Sequence, residues 1–291
     1  MNLVKTRFKG HETFFFREGW LQKALFEINA NRNLELFSGN NGIVKLGVGA
    51  NMVKSIKYWM LTSGILQYKN REYELTKLGE TIAINDVYLE NIFSLWIIHI
   101  NLVRNYENAT TWNLFFNVFK GEIFESADIK DVLSDYLKSH DIKFSEKSLD
   151  TDINVLLNMY SKKNENDDPE ENYICPLSNL GLIKYSRKKY QRSLPELNTV
   201  SEYLVLYVIL LLIEDKGESS NRSISISDLE KTNNSLVSIF NFNRIIINEY
   251  LEQLASMGYL RIEKTAGLDM IYVTCDYSPD QIIELYYEGE K

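Results

Sequence analysis

The chain has 291 residues, 45% hydrophobic and 12% aromatic, with a net charge of −8; this argues against an extended disordered chain and against a general nucleic-acid binder, and it supplies core enough for two or three domains. Two cysteines, Cys175 and Cys275, have no Cys or His partner at metal-ligand spacing, which argues against a disulfide or zinc framework and fits a reducing cytoplasm. The opening MNLVKTRFKGHE has no apolar signal-peptide core, and the most apolar run, Tyr203 to Ile213, spans 11 residues against the roughly 20 of a membrane helix, so a cytoplasmic protein without a membrane partner is expected.

In chain order, Phe14 to Ala30 has helical spacing, with Phe16, Trp20, Leu21, Ala24, Leu25 and Ile28 on one stripe. NRNLELFSGNNG is a connector. Asn51 to Ser63 is a second helix, opened by glycines at 47 and 49 and closed by Gly64. From Ile65 to Leu75 the period becomes two, with a turn near Asn70 and Arg71, which predicts a β-hairpin. LTKLGETI starts a short helix. Together these make a winged helix-turn-helix.

Residues 88–160 read as helices: YLENIFSLWIIHINLVRN, TTWNLFFNVFKG, IKDVLSDYLKSH and KSLDTDINVLLNMYS. Residues 161–172 hold no apolar side chain and predict a solvated loop. LSNLGLIKYSRKKYQR predicts a short helix and a ribbon, and Ser201 to Glu214 a buried helix. SISDLEKT, NFNRIIINEYLEQLASMG with Gly258 as its stop, and a ribbon turning at Ala266 and Gly267 repeat the opening plan. The expected fold is therefore mainly α with small β-ribbons. Tandem winged-helix-like modules at 1–87 and 199–291 would flank a helical middle at 88–198.

Charge is divided along that plan. Residues 1–80 hold 12 Lys and Arg against 7 Asp and Glu; residues 81–198 hold 13 against 18; residues 199–291 hold 7 against 15. Such asymmetry points to an anionic partner for the first third and a different partner for the rest. In the second helix Val53, Ile56, Trp59 and Met60 share one side, and Asn51, Lys54, Lys57 and Tyr58 lie elsewhere. As a recognition helix it would bring Asn51 and Lys54 to base edges and Ser55 and Tyr58 to phosphate, with Lys57 a further DNA contact. Lys69 and Arg71 would reach backbone or minor groove, with Lys45 beside the helix start and the glycines at 47 and 49 admitting an anion. In the last third, Glu249 and Glu252 on the long helix would repel DNA, so that module is assigned to protein contact or to an internal structural role.

FKGHETFFFREGW holds the most suggestive polar group: His11, Glu12, Thr13 and Arg17. His11 and Glu12 are candidates for capping the first helix, for a ligand or phosphate contact, or for catalysis; Arg17 can pair with Glu12 or reach a phosphate. His99 lies in an apolar run and is expected to be a satisfied core residue, and His140 a surface residue at a helix end. The acidic pair Asp150 and Asp152 is explained by caps or solvated loops. The stretch from Gly42 to Gly49 lacks the spacing of a nucleotide-binding P-loop.

FKGHETFFFREGWLQKAL, LGVGANMVKSIKYWMLTSGIL and TAGLDMIYV resemble the two N-terminal signatures and the C-terminal signature of a bacterial and archaeal family of unknown function, similar to the SspB-type component of DNA phosphorothioation systems. The resemblance runs from about residue 8 to 287, and it departs from many members at Ala50, where they carry a basic residue. It implies a part in phage defence, DNA as partner, and a sulfur-transfer protein resembling PAPS reductase and an ATPase as companions. The SspB-type component is regarded as the nicking member, so the resemblance also implies an alternative: a nickase using Mg²⁺ or Mn²⁺, with Glu12, Glu18 and Glu35 the nearest carboxylates. A dimeric transcriptional regulator is the other alternative.

Overall fold

The apolar stripe of the first predicted helix starts earlier than the helix itself. Helix α1 spans Trp20–Asn29 and buries Trp20, Leu21, Ala24, Leu25 and Ile28. Residues 14–17 run without helix, because the Phe14 carbonyl accepts from Ser55 Oγ at 3.2 Å and Trp59 Nε1 at 3.1 Å. A carbonyl spent on another element cannot start a helix of its own. Helix α2, Asn41–Leu46, lies where a connector was expected, and Gly47 ends it in the left-handed conformation at φ +66°.

Helix α3, Ala50–Thr62, buries Ile56, Trp59 and Met60 as its spacing predicts. Gly64 follows at φ +73°, and Ile65 N–H reaches back to the Met60 carbonyl at 3.0 Å, which closes the helix and aims the chain into the hairpin. Strands β1 (Leu66–Lys69) and β2 (Glu72–Leu75) pair antiparallel, with Tyr68 opposite Tyr73. Asn70 and Arg71 both have positive φ, as a two-residue I′ turn requires. Thr76 then caps α4 (Lys77–Asn85) by accepting from Gly79 N–H at 3.0 Å.

Helices α5 (Ile92–Arg104) and α6 (Thr110–Asn117) form the deepest layer. All eight residues of α6 are buried. His99 is buried and pairs through Nδ1 with Tyr160 Oη at 2.7 Å, the satisfied core histidine that was expected. Strand β3 (Ile123–Phe124) precedes α7 (Ser126–Ser139) and α8 (Glu146–Tyr160); exposed His140 caps α7. A short 3-10 turn at Pro176–Leu180 leads into β4 (Ile183–Ser186) and β5 (Lys189–Arg192), and the sheet order is β3-β5-β4.

Helix α9, Glu202–Asp215, is the buried centre of the C-terminal part. Strand β6 (Ser223–Ser225) is followed by α10 (Ile226–Lys231), α11 (Leu236–Phe240) and α12 (Arg244–Ser256), and then by β7 (Leu260–Thr265), β8 (Leu268–Val273) and α13 (Pro279–Gly289). The sheet order is β6-β8-β7, all antiparallel. Gly258 at φ +82° and a Tyr259 N–H bond to the Leu254 carbonyl repeat the stop device of α3.

The computed structural model describes residues 5–29, 35–161, 174–217, 222–265 and 268–289. The expected helix end at Ala30, residues 162–172 of the expected acidic loop and the turn at Ala266 and Gly267 lie outside them. The chain forms two units, Met1–Ser193 and Leu194–Lys291. The first takes in both the N-terminal module and the helical middle read from sequence; the second starts at Leu194 rather than 199. The architecture is mainly helical with small antiparallel sheets. Among the described residues no helix is long and apolar enough to cross a membrane.

Gly79 marks the tightest crossing of the N-terminal hairpin and α4. A Cβ there would lie 2.1 Å from the Ile65 carbonyl oxygen, and backbone cannot swing aside as a side chain can. Gly79→Ala is expected to destabilise the chain by about 3 kcal/mol through overpacking, read as a shift in the urea midpoint. An unchanged midpoint would show that the crossing is loose.

Candidate functional site

The GHE stretch folds into a tight turn enclosed by the first unit. Lys9, Glu12 and Thr13 all have positive φ, which non-glycine residues adopt only where the surroundings hold them there. Gly10 lies flat on the Tyr58 ring, where a Cβ would come within 2.4 Å. His11 is fully buried, stacked on Trp59 at 5.6 Å and met edge-on by Trp112 at 5.7 Å.

What holds the turn is a carboxylate from far along the chain. Asp152 of α8 is buried; its Oδ1 accepts from Lys9 N–H at 2.8 Å and lies 2.9 Å from His11 Nε2, and its Oδ2 accepts from Thr111 Oγ1 at 2.9 Å. This corrects the sequence reading of Asp152 as a cap or loop acid. Its neighbour Asp150 does lie near the surface, with Lys130 Nζ at 2.8 Å. Arg7 N–H donates to Thr110 Oγ1 at 2.9 Å, so α6 is tied in twice. Of the roles open to His11, the geometry gives it a tethering one. Asp152 and Thr111 escaped the sequence reading because no spacing links them to a partner 141 and 41 residues away.

Two expected phosphate contacts are corrected. Ser55 is buried, with its hydroxyl bonded to Phe14. Tyr58 is also buried and donates to the Asn108 carbonyl at 2.7 Å; burial, reinforced by the Asp152 charge, pushes its phenol far above the ordinary value, so it stays neutral. At the other end of α3, Asn101 Nδ2 and Asn105 Nδ2 donate to the Ser63 and Thr62 carbonyls at 2.7 and 3.2 Å. The helix is held at its C-terminal end and, through Ser55, Tyr58 and Trp59, along one face.

The remaining candidates sort by exposure. Asn51 and Lys54 are exposed in the first turns of α3, and Lys54 Nζ donates to Asn51 Oδ1 at 3.2 Å, with Glu12 Oε1 at 4.0 Å. Lys69 and Arg71 are exposed at the hairpin tip, Lys69 lying 3.9 Å from Glu74. Lys45 is exposed near Glu27 at 3.9 Å. Lys57 is half-buried, its ammonium 5.2 Å from the Tyr73 ring, and Arg17 is half-buried among Phe14, Phe15 and Trp20. Gly47 ends α2 and Gly49 is the residue before α3; both are exposed.

Residues 8–287 match the family described as "Protein of unknown function (DUF4007)". This chain belongs to the DUF4007 family. The matched span includes both the GHE turn and α8, the two ends of the buried tether. No curated protein matches the chain. Two solved structures are similar to this DUF4007 chain. "Magnesium ion-bound SspB crystal structure" is 22% identical with a TM-score of 0.83, covering 97% of this chain and 87% of that one. "SspB crystal structure" is 22% identical with a TM-score of 0.82, covering 99% and 89%. At that identity the likeness establishes the fold.

Asp152→Ala leaves the buried His11 and Thr111 side chains and the part-buried Lys9 N–H without their shared partner and is expected to cost about 3–5 kcal/mol, measured by urea denaturation. A loss below about 1 kcal/mol, the scale of one ordinary hydrogen bond, would show that the node does not hold the fold together. Tyr58→Phe removes one hydroxyl bond and is expected to cost about 1 kcal/mol, read as a shift in the urea midpoint. An unchanged midpoint would show that the Tyr58 hydroxyl bond does not help hold α3.

Proposed function

We propose that this chain is a DNA-binding component of a phosphorothioation-linked antiphage defence system, gripping DNA through an N-terminal winged helix. The observation that carries the reading is the contrast within α3. Its body is clamped in the core while Asn51 and Lys54 in its first turns stand exposed, and the next exposed cations, Lys69 and Arg71, sit at the tip of the following hairpin. A rigid helix end and a ribbon tip are the two parts by which a winged helix meets a duplex, the helix in the major groove and the ribbon on the backbone or minor groove. Asn51 suits adenine, Lys54 guanine or phosphate, and Lys69 and Arg71 phosphate.

The family membership and the likeness to SspB support the phosphorothioation setting. The order β6, α10, α11, α12, β7, β8 in the second unit supports a second winged-helix-like module there. Arg244 of α12 is engaged by Glu230 and Asp269, both at 3.3 Å, and residues 199–291 carry 15 acids against 7 bases. That balance supports docking to a companion protein, with the sulfur-transfer protein and the ATPase as the proposed companions, rather than to DNA. The nickase alternative needs a divalent ion. Among the described residues no three His, Cys, Asp or Glu side chains converge in a group that could hold one, and Glu12 faces Lys54. No step of the proposal is routed through a metal ion.

The test is fluorescence anisotropy with a labelled duplex, comparing the wild type with Lys54→Glu/Arg71→Glu. Affinity is expected to fall at least tenfold, and the slope of log affinity against log salt to become shallower by about 1–2 as phosphate contacts are lost. Equal affinity and slope in the two proteins would sink the reading.

A further inference from the structure

The N-terminal hairpin has a twin. In β1–β2 and in β4–β5 two four-residue strands meet in full register around a two-residue turn, and a tyrosine pair faces across the strands two residues from the turn on either side. Tyr68 and Tyr73 have ring centroids 4.8 Å apart at 46°, and Tyr185 and Tyr190 have centroids 4.8 Å apart at 47°. Both turn residues have positive φ in each: Asn70 and Arg71, then Arg187 and Lys188. The backbone device is the same, but the charge is not. Residues 66–75 carry two bases and two acids, whereas residues 183–192 carry five bases and no acid.

Four of those five, Lys184, Arg187, Lys188 and Lys189, are exposed. Among the described residues only Lys189 of these four pairs with a carboxylate, Glu125 at 3.8 Å. The fifth, Arg192, is turned inward. It donates to the Phe115 and Phe119 carbonyls at 2.7 and 2.8 Å and lies 4.4 Å from the Phe115 ring centre, and burial lowers its pKa to about 10. Tyr190 is buried and stacked on Phe124 at 5.9 Å. The hairpin is thus anchored by its base, paired along one edge to β3, and holds its cations at a stiff tip.

We propose that the β4–β5 tip is a second DNA-contact element, in which Arg187 and Lys188 neutralise backbone phosphates. This rests on the reading of the chain as a DNA binder. A tip reading Ser-Arg-Lys-Lys has no apolar side chain to enter a bilayer, and a fixed spacing of compact cations suits the regular charge of a phosphate backbone. The surrounding stretch, net acidic over 81–198, hides this element from any count by region.

Arg187→Asn/Lys188→Gly tests it. Asn-Gly is the preferred pair for an I′ turn, so the variant removes two charges and keeps the fold. Anisotropy is measured on the full chain with a labelled duplex from low to moderate salt, beside vesicles containing phosphatidylserine. The variant is expected to bind DNA roughly tenfold more weakly, with a salt slope shallower by about 1–2, at an unchanged urea midpoint. A variant that matches a DNA-binding wild type in affinity and slope overturns the hairpin's role and leaves the proposed function standing. A wild type that does not bind DNA overturns both. Vesicle binding by the wild type in place of DNA, lost in the variant, assigns the tip to a membrane surface and overturns the proposal.

Discussion

The buried contact between His11 and Asp152 is the constraint around which the first unit is arranged. An ionisable pair out of water is tolerated when its remaining polar atoms are also satisfied. Asp152 meets that condition with Lys9 N–H and Thr111 Oγ1 in addition to His11, whereas His11 Nδ1 is buried with no hydrogen-bond partner among the described residues. The node joins an N-terminal turn, α6 and α8 at one carboxylate. It also fixes the floor on which α3 lies, because the His11 ring stacks on Trp59 and the neighbouring Gly10 accepts the Tyr58 ring. Strain at Lys9, Glu12 and Thr13 is held in place by the same contacts.

From that floor follows what α3 can present. Ser55, Tyr58 and Trp59 are spent on Phe14, Asn108 and His11, and Asn101 and Asn105 hold the far end. Only the first turns are left to meet a partner. A helix so fixed loses little freedom when a ligand engages its end, and this preorganisation favours tight contact from few residues. The cations nearer the core lie against aromatic rings, Lys57 over Tyr73 and Arg17 over Trp20.

The same economy governs the two tyrosine hairpins. Cross-strand ring pairs hold both ladders in register, and the turn residues sit outside the packing. Their charge is therefore free to differ, from one base in the turn at Asn70 and Arg71 to two at Arg187 and Lys188. Nothing in the fold demands the second arrangement, and like charges this close repel at some cost. That is why the tip reads as a surface with a partner.

Local patterns alone carried much of the architecture. The 3.6-residue period located α3, α5, α8, α9 and α12, and the two-residue period with its turn located the N-terminal hairpin, while β4–β5 was read only as a ribbon. Gly64 and Gly258 could be read as stops because a left-handed residue after a helix is a local requirement. The short α2 and α11 went unread, since a few residues carry too little periodicity, and the 11-residue α13 was missed as well. The start of α1 was misplaced because hydrogen bonds from α3 take the Phe14 carbonyl. Which polar residues face outward was settled only by tertiary structure. Period and charge put Tyr58 and Ser55 with the lysines, and packing against the GHE turn buried them. Sequence by itself determined the elements and the basic character of the first third, both of which depend on neighbours along the chain. The pairing of His11 with Asp152, 141 residues apart, was decided by the fold, because burial is a property of what lies nearby in space.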